Sequence, residues 1–242
     1  MNEQGILLPD YHFDFSRVDN NRVDCQFSNE YMVANSAVMD RDDAGRCAKV
    51  VGTNADNTFY LSRDGLLITG QNPLYTGHFA VVFSGYIKPG SVRVCTLAQW
   101  VFNSYGLLIY VNGGYNGSEF YDDAENLGFY IKSVVGVIPY INVPNTITQP
   151  GYYYIGIARL GTRTYVLACN GVIVGEYSAS SNVSLDVVGV KRFRVMSLGY
   201  NESSVSRVLT DGRAHYVSIY NQNPVSREQL CKLTANPFIA MR

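Results

Sequence analysis

An all-β fold is what this sequence predicts: two twisted sheets packed as a sandwich, with one short helix near the C-terminus. Three observations predict it. Roughly ten short runs carry strand signals, with apolar and aromatic residues alternating with polar ones or running on without a break. Turn pairs such as Asp64-Gly65, Pro89-Gly90 and Asn170-Gly171 punctuate the runs. Only one stretch, near the end, carries both a helix start and a helix stop.

The elements follow in order. "YHFDF" sets Tyr11, Phe13 and Phe15 on one face and His12 and Asp14 on the other. "NTFYLSRDGLLIT" reads as two strands around Asp64-Gly65. "HFAVVFSGYIKPG" is a continuous apolar run, the pattern of a strand buried on both faces, stopped at Pro89-Gly90. "SVRVCTLAQWVF" and "SYGLLIYVNGG" follow, the second expected to close at Asn112-Gly113-Gly114. Pro139 within "LGFYIKSVVGVIPYINV" predicts an edge or a bend. "YYYIGIARLGTRTYVLACNGVIVGEY" predicts a strand and then a hairpin across Asn170-Gly171, and "RFRVMSLGY" and "AHYVSIYN" complete the series. In "NPVSREQLCKLTANPF", Ser226 with Gln229 three residues on forms a capping box, Leu230 and Leu233 share a face, and Asn236-Pro237 ends the helix.

Composition bounds the class. Of 242 residues, 47% are hydrophobic, ample for a real core, and no composition break divides the chain. Residues 11–242 are therefore expected as a single sandwich domain and residues 1–10 as an N-terminal arm. Charged residues are 16% and the net charge is -1, which disfavours a nucleic-acid partner, since phosphate binding needs a basic excess. The leader "MNEQGILLP" lacks the basic region of a signal peptide, and no run approaches the ~20 apolar residues of a membrane span. The 5 cysteines never space as a metal or redox pair and read as reduced core thiols. Asn116, Asn182 and Asn201 open sequons that read as ordinary loop sequence.

These pieces together resemble the concanavalin A-like, laminin-G-like (LamG-like) jelly-roll modules. "DYHFDFS" is similar to the family's first strand with its Phe-Asp pair, here Phe13-Asp14. Lys88-Pro89 stands where the central strand ends in a Lys-Pro turn, and the hairpin at Asn170-Gly171 resembles the signature hairpin. Tyr220-Asn221, Ser226, Glu228, Leu233 and Asn236-Pro237 match the closing strand and cap helix, in a version frequent in bacteriophage structural proteins. Two departures matter: Tyr153 or Tyr154 replaces the usual tryptophan, and the family's calcium-binding acids have no clear counterpart.

Reactive motifs are sparse. "GSEFYDDAEN" holds Glu119, Asp122, Asp123 and Glu125; paired carboxylates serve glycosidases, but the Gly, Asn and Ser around them predict a solvated loop. "MDRDDAGR" offers Asp40, Asp42 and Asp43 as oxygen ligands for a weak Ca²⁺ site, with a charged turn as the plain reading. Lys191, Arg192 and Arg194, with Arg159, Arg163 and Arg207, would make a short basic patch for an acidic neighbour, or a solvated strand face. His12, His78 and His215 read as structural histidines. The aromatic and amide loops remain: Tyr75, Tyr115, Asn116, Phe120 and Tyr121, with ring faces for a sugar and amides for its hydroxyls, or equally a tyrosine-rich protein interface or plain loop packing.

A non-enzymatic module with no cofactor is thus expected, Ca²⁺ aside. The first expectation, on the closing-segment resemblance, is a phage virion component. It would be made in the host cytoplasm and dock to neighbouring capsid or tail subunits or to copies of itself. The alternative is a carbohydrate-binding, lectin-like module for adhesion to a host or particle. A glycoside hydrolase stands a distant third.

Overall fold

The computed structural model describes residues 6–34, 37–43, 45–50, 59–61, 78–89, 95–102, 105–131, 139–181, 183, 191–195 and 212–235. Its first strands are β1 (Tyr11–Asp14), β2 (Arg22–Asp24), β3 (Tyr31–Ala34), β4 (Ala37–Asp42), β5 (Gly45–Val50) and β6 (Phe59–Leu61). Then come β7 (Phe79–Ile87), β8 (Cys95–Phe102), β9 (Tyr105–Tyr115), β10 (Phe120–Ile131) and β11 (Tyr140–Val143). The series closes with β12 (Gly151–Leu160), β13 (Thr164–Cys169), β14 (Val172–Ser178), β15 (Lys191–Val195), β16 (Arg213–Tyr220) and helix α1 (Arg227–Ala235). The Asp64-Gly65 hairpin lies outside the described residues.

The strands form two sheets of eight. One runs β14-β13-β12-β7-β16-β5-β4, with β1 also paired to β16; the other runs β11-β10-β9-β8-β15-β6-β3-β2. The two press together over one apolar cluster. Phe79, Val81, Phe83, Ile155, Ile157, Val217 and Ile219 come from the first sheet, and Leu107, Ile109, Val111, Leu127, Phe129 and Phe193 from the second. This is the all-β jelly-roll sandwich with one short helix that the sequence predicts.

β7 explains its own continuous apolar pattern. Val81 and Phe83 enter the core between the sheets, while Ala80 and Val82 belong to a second cluster with Leu230 and Leu233 of α1. The helix therefore roofs the outer face of the first sheet. It starts with the expected capping box: Gln229 N donates to Ser226 Oγ at 3.2 Å, and Ser226 N to Gln229 Oε1 at 3.1 Å. It sits directly on Gly156, where a Cβ would lie 2.8 Å from both Leu230 Cδ1 and Thr234 Cγ2. Its last turn rests on the β13–β14 hairpin, where Asn170 and Gly171 both take positive φ (48° and 84°) and Gly171 N donates to Thr234 Oγ1.

The start of the described chain joins the same roof. Ile6 is buried in the helix cluster, and the Asp10 carboxylate accepts from the backbone of Asn221 and Gln222. Residues 6–10, expected as part of an arm, lie along β16. Cys25, Cys47 and Cys169 are buried free thiols, and Cys231 is a half-buried one on α1. Among the described residues no helix is long and apolar enough to cross a membrane.

Three expectations need correction. The segment after Glu119, read as a loop from its Gly, Asn, Ser and acids, is strand β10, because Tyr121, Leu127 and Phe129 pair across β9. Asn112-Gly113-Gly114 does not end the preceding strand; Asn112 takes φ 59° within it and β9 continues to Tyr115. Arg159 joins no surface patch. It is fully buried, donates to the Val183 carbonyl at 2.7 Å, and lies over the Tyr165 ring.

His12 is buried on β1 beside β16, its Nδ1 2.7 Å from Ser218 Oγ and its ring against Tyr216 and Phe27. Burial pushes its pKa down to about 4, the nearby Asp14 charge opposing only in part. The unfolded chain binds a proton between pH 6.5 and 4 that the folded chain refuses. Stability from this group is therefore full above pH 6.5 and falls as pH drops through that window, with a slope approaching about 1.4 kcal/mol per unit. Urea unfolding across this range should show the slope, and His12→Phe should flatten it. An unchanged slope in that variant would contradict the assignment. Leu230→Ala should lower stability by about 2–5 kcal/mol, because it empties the contact between α1 and β7–β12. A loss under ~1 kcal/mol in the same titration would show that the helix is not held this way.

Candidate functional site

Four tyrosines gather at the β9–β10–β11 end of the second sheet. On β9, Leu107, Ile109 and Val111 face the core, so Leu108 and Tyr110 face outward, where they cluster with Tyr115, Tyr130 and Tyr140. The strand phase changes beyond Val111. Asp122 pairs with Gly113 and Leu127 with Val111, so five steps on β10 oppose two on β9. This bulge and the positive φ of Asn112 bring Tyr115 to the outer side. There it packs edge-on to Tyr130 and Tyr140, with centroids 4.7 and 5.4 Å away.

Asn142 of β11 holds the cluster together. Its Oδ1 accepts from Tyr110 Oη at 2.6 Å and from Tyr115 N at 3.0 Å, and its Nδ2 donates to Tyr115 O at 2.6 Å. The Tyr110 ring fills the space over Gly128, where a Cβ would come within 2.1 Å of it. Burial, then the neighbouring Tyr121 and Tyr140, drive the Tyr110 hydroxyl far above the usual phenol range, so it stays a neutral donor. In the bulge, Asn126 is buried and its Oδ1 has no hydrogen-bond partner among the described residues.

Above this layer stands Tyr121, 39% exposed, one of four large hydrophobic side chains so displayed among the described residues. Its ring covers Gly114, where a Cβ would fall 2.2 Å from Cζ and Oη. Only glycine lets the ring lie that close to the backbone. Beside it, Asn116 to Glu119 form an exposed turn. Asn116 Oδ1 accepts from Ser118 N, Ser118 Oγ and Glu119 N, at 3.0, 2.9 and 2.9 Å. That leaves its Nδ2 and the Glu119 carboxylate facing water.

The predicted ligand residues thus part into roles. Tyr121 and Asn116 are displayed. Tyr115 is buried as their support, with 5% exposure. Phe120 opens β10 opposite Tyr115, its side chain undescribed, and Tyr75 lies outside the described residues. Sequence reading missed Tyr110, Tyr130, Tyr140 and Asn142; the signal for the first two was there in the alternation of "LLIYV" and "GFYI".

The predicted calcium ligands are dispersed to different partners. Asp40 binds Arg213 at 3.0 Å, and that hydrogen bond holds its carboxyl below the ordinary range. Asp42 binds His215 Nε2 at 2.9 Å, and Asp43 is exposed. Among the described residues, the group with donor atoms close enough for a metal is Asp42, Cys47 and His215. Burial, then the Asp42 and Asp40 carboxylates, push the Cys47 thiol up to about 12, so it is not a nucleophile near neutrality. The Asp122 and Asp123 side chains lie outside what is described.

No family model matches the chain, and no curated protein matches it by sequence. Solved structures do match. The binding domain of Paraclostridial Mosquitocidal Protein 1 superposes with a TM-score of 0.64 at 11% identity, covering 93% of this chain and 51% of that one. The botulinum neurotoxin serotype D binding domain gives 0.64 at 10%, with 93% and 51% covered. The CBM40 of Ruminococcus gnavus IT-sialidase gives 0.50 at 13%, with 66% and 83% covered. It also matches when bound to α2,3-sialyllactose, as does the binding domain of botulinum neurotoxin DC in complex with SialylT. The chain spans about half the length of the toxin binding domains it matches. At these identities the likeness shows the fold: a β-sandwich of the kind found in carbohydrate- and receptor-binding domains.

Proposed function

We propose that this chain is a non-enzymatic, lectin-like binding module that holds a glycan at the β9–β10 end of its second sheet. The carrying observation is Tyr121, exposed over Gly114 on a floor of buried, hydrogen-bonded tyrosines. An exposed ring gives a pyranose a face to stack on, and the rigid layer below lowers the entropic loss on binding. The turn beside it supplies an amide donor at Asn116 and a carboxylate acceptor at Glu119 for sugar hydroxyls. Structural neighbours that bind sialyllactose or SialylT support a glycan over a catalytic role and make sialylated oligosaccharides the first ligands to try.

The setting we propose is adhesion. The likeness of Tyr220-Asn221, Ser226, Glu228, Leu233 and Asn236-Pro237 to phage structural proteins supports a virion component, assembled in the host cytoplasm among neighbouring subunits, that carries this glycan site outward.

A glycan array including both sialyllactoses, followed by calorimetric titration of its hits, tests the site. Tyr121→Ala should weaken binding about tenfold or more, ~1.4 kcal/mol, with thermal stability unchanged. Tyr115→Ala should instead lower stability, because it opens the buried layer. A blank array, or equal affinity in Tyr121→Ala, would overturn the proposal.

A further inference from the structure

We infer that Asp42, Cys47 and His215 form a binding site for a divalent cation of the zinc class, one that fastens the β4–β5 hairpin to β16. The observation is the convergence of three different donors, a carboxylate, a thiol and an imidazole, whose ligand atoms all lie within 4.8 Å of one another. Each is withdrawn from water: Cys47 is fully buried, and the Asp42 and His215 side chains are 5% and 11% exposed.

Backbone features aim all three. Asp42 and Cys47 come from the two arms of one hairpin, where Asp40 pairs with Cys47 and Asp42 with Gly45. His215 is the extra residue of a bulge in β16, since Ala214 pairs with Gly85 and Tyr216 with Ser84. Gly85 admits that bulge: a Cβ there would stand 2.3 Å from the Arg213 carbonyl oxygen. The Tyr152 ring packs edge-on to His215 at 5.7 Å and fixes its plane. A bulge that turns one histidine onto a buried Cys and Asp is the kind of re-aimed side chain seen at built sites.

The donor set selects the ion. Sulfur and nitrogen donors suit zinc and cobalt, and calcium prefers an all-oxygen shell. Once the ion has displaced the Cys47 thiol proton, thiolate and carboxylate together balance a divalent charge, and three protein ligands leave a fourth position open. Ligand atoms around tetrahedral zinc stand ~3.3–3.6 Å apart, given bond lengths of ~2.0–2.3 Å. The Asp42–His215 contact of 2.9 Å need only open slightly, and the Cys47 sulfur close in. The neighbouring Asp40 is already held by Arg213 and does not compete.

The position gives the ion its role. Among the described residues β5 and β16 pair at two positions, Arg213 with Lys49 and Ala214 with Ala48, and beyond β5 lies the edge strand β4. A metal joining Asp42 and Cys47 to His215 would add a crosslink at the shortest described ladder of the first sheet. This inference does not depend on the glycan site.

Adding Co²⁺ to the metal-free full chain tests it. One equivalent should give the intense visible bands of four-coordinate cobalt and a thiolate-to-cobalt charge-transfer band, both lost on adding Zn²⁺. Zn²⁺ should also raise the melting temperature. Cys47→Ser should abolish the charge-transfer band while Cys231→Ser retains it, and His215→Ala should weaken Zn²⁺ binding by about tenfold or more. A wild-type spectrum of weak, six-coordinate type without a charge-transfer band overturns the inference with no variant needed. So does a charge-transfer band that survives in Cys47→Ser, or displacement of cobalt by excess Ca²⁺, which would place the ion on oxygens alone.

Discussion

The double burial of β7 is the constraint on which the rest of the molecule depends. Its side chains alternate between two apolar environments, Val81 and Phe83 against the opposite sheet and Ala80 and Val82 beneath α1. A strand with no wet face must be covered twice, at roughly 25 cal/mol for each Å² of apolar surface withdrawn. The second cover dictates a series of local choices. Gly156 has no side chain because the helix needs that space; Ser226 and Gln229 begin the helix; Gly171 lets its last turn land on the hairpin. The β13–β14 hairpin is a seat for α1 as much as it is part of the sheet.

Covering one end of the first sheet decides what the other surfaces can do. Near β4, β5 and β16 the same face carries paired charges and a buried carboxylate–imidazole contact. On the second sheet, tyrosines pave the outer face by packing on one another, on Gly128 and on Asn142. Tyrosine suits this duty because its ring is apolar enough to bury and its hydroxyl can be satisfied at the boundary. Buried polar groups elsewhere meet the same rule by different means. Arg159 gives its guanidinium to a carbonyl, and His12 gives up its charge.

Much of this was legible in the sequence. β7 announced itself by its unbroken apolar run, α1 by its capping box and the β13–β14 turn by Asn170-Gly171, because each is a local signal with a local cause. The failures share one physical origin, which is register. Loop-like composition at Gly117, Ser118 and the following acids hid a long strand, since cross-strand pairing with β9 outweighed propensity. Asn112 looked like a turn residue and is one in conformation, yet the chain passes through it and changes phase. Tyr115 therefore became a buried support where its loop-like surroundings suggested a displayed ligand contact, and Tyr121 took the display. The convergence of Cys47 with His215 was invisible for the same reason: the bulge that turns His215 depends on Gly85, far away in the chain.

The central claim is that the tyrosine-floored end of β9–β10 is the surface where ligand is met. Amide and aromatic NMR shifts during titration with sialyllactose test it most directly. The account predicts perturbations confined to Tyr121, Gly114 and the turn from Asn116 to Glu119, with Asn142 and the α1 face unmoved. Shifts centred on Tyr86, Tyr152 and Arg213 of the first sheet, or none at saturating sugar, would contradict it.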